Sequence, residues 1–166
     1  YDRDKHGVLW LRSRVQRGVG EPEFARVHPL RQRRAMHQLL CNVCAQPADR
    51  TDEGVLWLLR DYRNDWPGWP ENMAASEPPV CVPCAWRASR MCPAMRRGAV
   101  AIRVRRYPIA GVQGGIFRST GTPWPKRVDY GDVPYGDPAC RWVQADKLIR
   151  ELGDCTIVPM ETLCPA

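Results

Sequence analysis

Cys41-Asn42-Val43-Cys44 and Cys81-Val82-Pro83-Cys84 are the two stretches whose reading decides how this chain folds. Each spaces two thiols so that both sulfurs can face one ion while backbone amides point at them. Thirty-six residues separate the two pairs. Together they offer four soft donors at tetrahedral corners, so the sequence predicts one zinc ion held by Cys41, Cys44, Cys81 and Cys84. Four bound sulfurs leave no open position for water or substrate, and the ion is therefore expected to be structural. The four thiolates outweigh the charge of a dication, and Arg87 and Arg90, just beyond Cys84, are placed to offset part of the excess. An iron–sulfur cluster is the alternative that uses the same four thiolates. Paired disulfides would need an oxidising compartment. A thioredoxin-like redox site normally uses one such motif, not two.

What surrounds the cysteines points to a particular finger. A turn at Pro47 and an apolar strand, Val55–Leu59, follow the first pair, and the second pair opens a helix over 85–92. A knuckle, a hairpin and a helix whose first turn supplies the last two ligands resemble the treble-clef zinc finger, over about residues 38–97. The resemblance is specific for the metal site and not for function. Treble clefs serve nucleic-acid-binding, ribosomal, nuclease and protein-interaction roles.

Further out, Gly7–Leu11 reads as a strand, and Asp2-Arg3 with Gly7-Val-Leu-Trp-Leu11 recurs as Asp49-Arg50 with Gly54-Val-Leu-Trp-Leu58. The repeat predicts a duplicated strand, too short a series for a solenoid. Gly18, Gly20 and Pro22 mark a turn-rich stretch, and residues 29–40 a helix with Arg31, Arg33 and Arg34 on its polar side. Trp66-Pro-Gly-Trp-Pro70 and Pro78-Pro79 predict a loop, with the two tryptophans as a lid over a small core. Residues 99–107 alternate as a half-exposed strand. The glycines and prolines of 111–138 predict a long loop. Residues 139–152 predict a second long helix burying Trp142, Val143, Leu148, Ile149 and Leu152, ended by Gly153 and followed by a strand over 155–158. The expected fold class is α+β: a treble-clef finger embedded in a small, loop-rich single domain with short antiparallel strands and two or three helices. Its expected parts are a strand and basic helix over 1–37, the finger over 38–97 and a β/α extension over 98–166.

The charge pattern carries the functional expectation. Arginine outnumbers lysine 22 to 3, a ratio that codon bias in a GC-rich genome can also produce. Codon bias does not explain residues 81–127, which hold ten basic residues and no Asp or Glu, against net −4 on either side (41–80 and 128–166). Such a stretch repels itself unless it is spread over a surface or meets an anion. The sequence therefore predicts a nucleic-acid-binding protein, of DNA before RNA, contacting phosphate through Arg87, Arg90, Arg96, Arg97, Arg103 and Arg105, with Arg31, Arg33 and Arg34 as a second cluster. The alternative is a protein-interaction adaptor or homodimer built on the alternating charge blocks. Enzymes rank lower. A His-metal-finger nuclease needs a histidine after the knuckle, and His6, His28 and His37 all precede Cys41. His37 lies close enough to Cys41 in sequence to be weighed as a replacement ligand. Cys92, Cys140, Cys155 and Cys164 have no paired spacing and read as buried thiols, with a second zinc site as the alternative. No apolar run approaches the roughly 18 residues that cross a bilayer, and no leader is recognised, so a soluble, cytoplasmic chain without membrane partners is expected.

Overall fold

Strand pairing, rather than helix packing, organises this chain. A computed structural model describes residues 3–15, 18 and 27–163; the turn expected through Gly20 and Pro22 lies outside them. Eight strands and two α-helices occur among the described residues, and the strands pair in a largely antiparallel manner. The chain divides into two units, Arg34–Ile109 with Arg150–Ala166, and Tyr1–Arg33 with Ala110–Ile149.

The first unit contains both cysteine pairs. Strands β2 (Arg50–Thr51), β3 (Gly54–Arg60) and β5 (Ala99–Arg106) and the second half of β8 (Val143–Val158) lie side by side in that order. β4 (Met73–Ala75) pairs with β8 through Ala75↔Arg150. The run Val55–Leu59 is buried residue after residue, as expected of a strand covered on both faces. Its alternation builds two separate cores. Val55, Trp57 and Leu59 join Val100, Ile102, Val104 and Leu152 on one face, with Trp69 and Ala75 over them. Leu56 and Leu58 join Ala101, Val80, Cys41, Cys84 and Ala85 on the other. Full burial of one such large side chain stabilises by about 1.5–3 kcal/mol, so β3 anchors both faces at once. Gly54 makes the turn into β3 at φ +120° and lies against the backbone of Val104, where any Cβ would collide.

The second unit is assembled from β1 (Leu9–Trp10), the first half of β8, β6 (Ile109–Arg118) and β7 (Lys126–Pro134). β1 runs parallel to β8, with Leu9 opposite Gln144. β6 lies between β8 and β7 and forms an antiparallel hairpin with β7. In helix α1 (Pro29–Gln38), the buried Gln32 accepts the amide of Leu148 at 2.9 Å and donates to its carbonyl at 2.8 Å, so one side-chain amide substitutes for a backbone partner.

The α+β expectation with short strands and a second long helix is overturned. Residues 139–152 form a short 3₁₀ turn, Pro138–Trp142, and then the sixteen-residue strand β8. Val143, Leu148, Ile149 and Leu152 are buried as expected, but Trp142 is exposed. Gln-Ala-Asp-Lys-Leu favours helix intrinsically; pairing with β1, β4, β5 and β6 overrides that weak preference. Gly153 continues the strand, leaving space into which the Arg106 guanidinium packs. The loop expected over 111–138 is instead β6 and β7. Gly111 and Gly114 sit where a Cβ would strike the backbone of the adjacent strands, so here glycine permits close pairing rather than a turn. β5 is also more deeply buried than its alternation suggested, Val100 to Val104 being buried throughout. The repeat does form a strand twice, in different roles: a two-residue parallel strand at Leu9–Trp10 and a core strand at Gly54–Arg60.

Candidate metal centre

The first cysteine pair is aimed by the end of α1. Leu39 adopts the left-handed conformation (φ +51°), and the Leu40 amide reaches back to the Ala35 carbonyl at 3.0 Å, which stops the helix and reverses the chain. A bridge between Leu40 and Pro47, and a 2.7 Å hydrogen bond from the Cys41 amide to the Gln46 carbonyl, close the turn that holds Cys41 and Cys44. The second pair is brought alongside by backbone pairing. The Asn42 amide donates to Pro79, the Asp49 amide to Val80, and the Val80 amide to Leu56. Cys81 then stands at the N-cap of α2 (Val82–Met91), with Pro83 in the first turn and the Ala85 amide bonded to the Cys81 carbonyl. Both thiols of this pair thus lie at the positive end of a helix dipole.

All four sulfurs lie within 4.8 Å of one another. The Cys44 and Cys81 sulfurs are 3.7 Å apart. Tetrahedral zinc–thiolate bonds of about 2.3 Å place sulfurs about 3.8 Å apart, so the donors match a single ion of that size. The separation is too long for a disulfide, and the spread is too small to enclose a multi-iron cluster. Cys41 and Cys84 are buried, Cys81 is half-buried and Cys44 is exposed.

Burial and mutual repulsion limit how many of the four thiols ionise together. Burial would raise the Cys41 thiol, but amide hydrogen bonds from Cys44, Cys81 and Val43 outweigh it and hold the thiol below its ordinary range. Burial pushes Cys84 well above that range, and the adjacent Cys81 sulfur and the Cys41 charge push it further. Cys81 is raised as well, by burial first. Four thiolates at this distance oppose one another's ionisation unless a dication neutralises them. The residues therefore fit a structural metal ion, and the donor set is the one zinc prefers.

The expected ligands are thus brought together, and among the described residues no second cluster of three or more metal-binding side chains occurs. Cys140 is buried, with its thiol against the Pro134 carbonyl, and Cys155 is half-buried near Pro70. Cys164 lies outside the described residues. His37 is exposed on α1, and His6 stacks on Tyr135 with ring centroids 3.8 Å apart.

The arginines are divided more sharply than the sequence suggested. Arg87, Arg96, Arg97 and Arg105 are exposed, and Arg90 is exposed with its guanidinium 4.1 Å above the Trp86 ring. Arg103 is buried; it pairs with Asp49 at 2.5 Å and donates to the Gly54 carbonyl. Its position between Ile102 and Val104 in a core strand is the signal that it faces inward. The acid partner, far away in sequence, gives no local signal. Arg34 is exposed and bonds Gln38. In the other unit Arg31 is exposed, and Arg33 lies half-buried over the Trp10 ring at 3.8 Å. Of the two tryptophans expected as a lid, Trp69 is buried in the β3 core while Trp66 remains 39% exposed.

No family model matches the chain, and no curated protein or solved structure is similar enough to count as a relative. Among the described residues, no helix is long and apolar enough to cross a membrane.

Proposed function

We propose that this protein is a nucleic-acid-binding module whose zinc finger, of treble-clef type, presents an arginine face to phosphate. The finger type is supported by the order knuckle, β2–β3 hairpin, then a helix carrying the last two cysteines. The observation that carries the functional reading is the outer side of α2 and the turn after it. Arg87, Arg90, Arg96 and Arg97 are all exposed there, and none pairs with a carboxylate among the described residues. The zinc ion holds that surface rather than reacting with substrate, since its ligands are complete. Arg105 and Arg34 are further candidate contacts in the same unit, Arg31 and Arg33 are separate candidates in the other unit, and Arg103 acts inside the fold.

Titrating the zinc-loaded protein with a fluorescent DNA duplex and the matching single strand tests the reading. Affinity should fall steeply between about 50 and 200 mM salt, as it does when several phosphates are neutralised. The variant Arg87→Glu/Arg90→Glu should lose this salt-sensitive binding while retaining zinc and its melting temperature. Binding that survives both charge reversals removes α2 as the contact.

A further inference from the structure

The hairpin formed by β6 and β7 has a tip that its fold does not explain. Every residue from Arg118 to Tyr130 is exposed. Trp124, between Pro123 and Pro125, is 81% exposed. The Thr120 and Thr122 hydroxyls lie 2.9 Å apart, and each is within hydrogen-bonding distance of the Trp124 carbonyl, so their two protons are shared among these three contacts. The loop backbone is therefore fixed while the indole is left in water, which is unusual for a residue type that is largely buried in folded proteins. At the base of the loop Arg118 pairs directly across from Lys126, and Arg127 follows. Like charges directly opposite each other destabilise a hairpin, and nothing acidic occurs between Arg118 and Arg127 to relieve them. An anion bound beside the indole would.

We infer that this arm is a contact for single-stranded nucleic acid, with one unpaired base stacked on Trp124 and the flanking phosphates on Arg118, Lys126 and Arg127. A flat aromatic face next to a cluster of cations is the arrangement that accepts bases of any sequence. Duplex DNA presents no free base face except at its ends, so the arm favours an unpaired strand. A membrane surface fits less well, because Gly, Thr and Pro around the indole supply no apolar face to bury. The inference rests on the nucleic-acid reading above but on different residues, so the two can fail separately.

Full-length zinc-loaded protein is titrated into fluorescein-labelled oligo(dT), with anisotropy as the readout. Trp124→Ala should weaken single-strand binding by about 5- to 150-fold, the equivalent of one base–aromatic stack of 1–3 kcal/mol. Trp124→Phe should restore most of it, and duplex affinity should change little in either variant. Unaltered single-strand affinity in Trp124→Ala overturns the inference; if Arg87→Glu/Arg90→Glu abolishes binding in the same assay, the α2 reading stands without the arm. Loss in Trp124→Ala with survival in the α2 variant keeps the arm and removes α2. Binding to vesicles containing anionic lipid, without binding to oligo(dT), also overturns the inference, making the arm a membrane contact.

Discussion

Replacing Asp49 by alanine strands a buried charge, and the size of the effect follows from geometry. The Arg103 side chain is 7% exposed and that of Asp49 29%, with nitrogen and oxygen 2.5 Å apart. Removing one partner of a buried ion pair costs about 3–5 kcal/mol, chiefly because the remaining charge is desolvated without compensation. Water can reach the Asp49 side of this pair, which places Asp49→Ala at the low end, about 3 kcal/mol. For a chain of this size that lowers the melting temperature by about 6–12 °C. Adding Arg103→Met removes the stranded charge and keeps a long, unbranched buried side chain at that position of β5, so the double variant should recover to within about 1 kcal/mol of the parent. The assay is urea unfolding followed by tryptophan fluorescence at saturating zinc, with metal content measured alongside so that metal loss is not mistaken for electrostatic loss. An Asp49→Ala cost below about 0.5 kcal/mol would refute the buried pair. So would a double variant no more stable than the single one.

Elemental analysis should find one zinc per chain in the parent, and Cys84→Ser should lower that to well below one while acid releases the metal from the parent as protons compete for the thiolates. Cys155, pushed up to about 12 by burial first and then by the Glu71 carboxylate, stays a neutral thiol at pH 8; alkylation there should be slow in native protein and faster in Glu71→Gln. The raised value means that the folded state resists ionisation of Cys155 while the unfolded chain does not, so stability falls as the pH climbs from the ordinary thiol range toward 12, and the parent should lose more stability over that range than Cys155→Ala. Gly114→Ala would push a methyl group into the Gln144 carbonyl and should cost about 1–3 kcal/mol in thermal denaturation, whereas Gly131→Ala meets open space and should change little.

The four-cysteine cluster was legible in the sequence because each pair is set by local spacing: each Cys-x-x-Cys turn needs only its own residues. Helices α1 and α2 and strand β3 were legible for the same reason, through periodicity and unbroken apolar runs. β8 was not. Its residues favour helix locally, and it is a strand because four other strands pair along it, information held nowhere near residues 143–158. The hairpin was hidden by its glycines, which read as turn formers in isolation and serve as points of close backbone approach in the fold. Arg103 looked like surface charge because the acid that neutralises it lies at Asp49, across the β3–β5 ladder.

One strand serving two cores has a consequence for how the protein answers to its surroundings. Cys41 and Cys84 pack against Leu56 and Leu58, and the opposite side of the same strand carries Trp57. Loosening the four-cysteine site therefore cannot stay local, because the wall it leans on is also the floor of the other core. Each tenfold rise in free zinc above the dissociation constant adds about 1.4 kcal/mol to the folded state. If zinc is the ion these cysteines hold, the amount of folded, protease-resistant protein should then rise with free zinc.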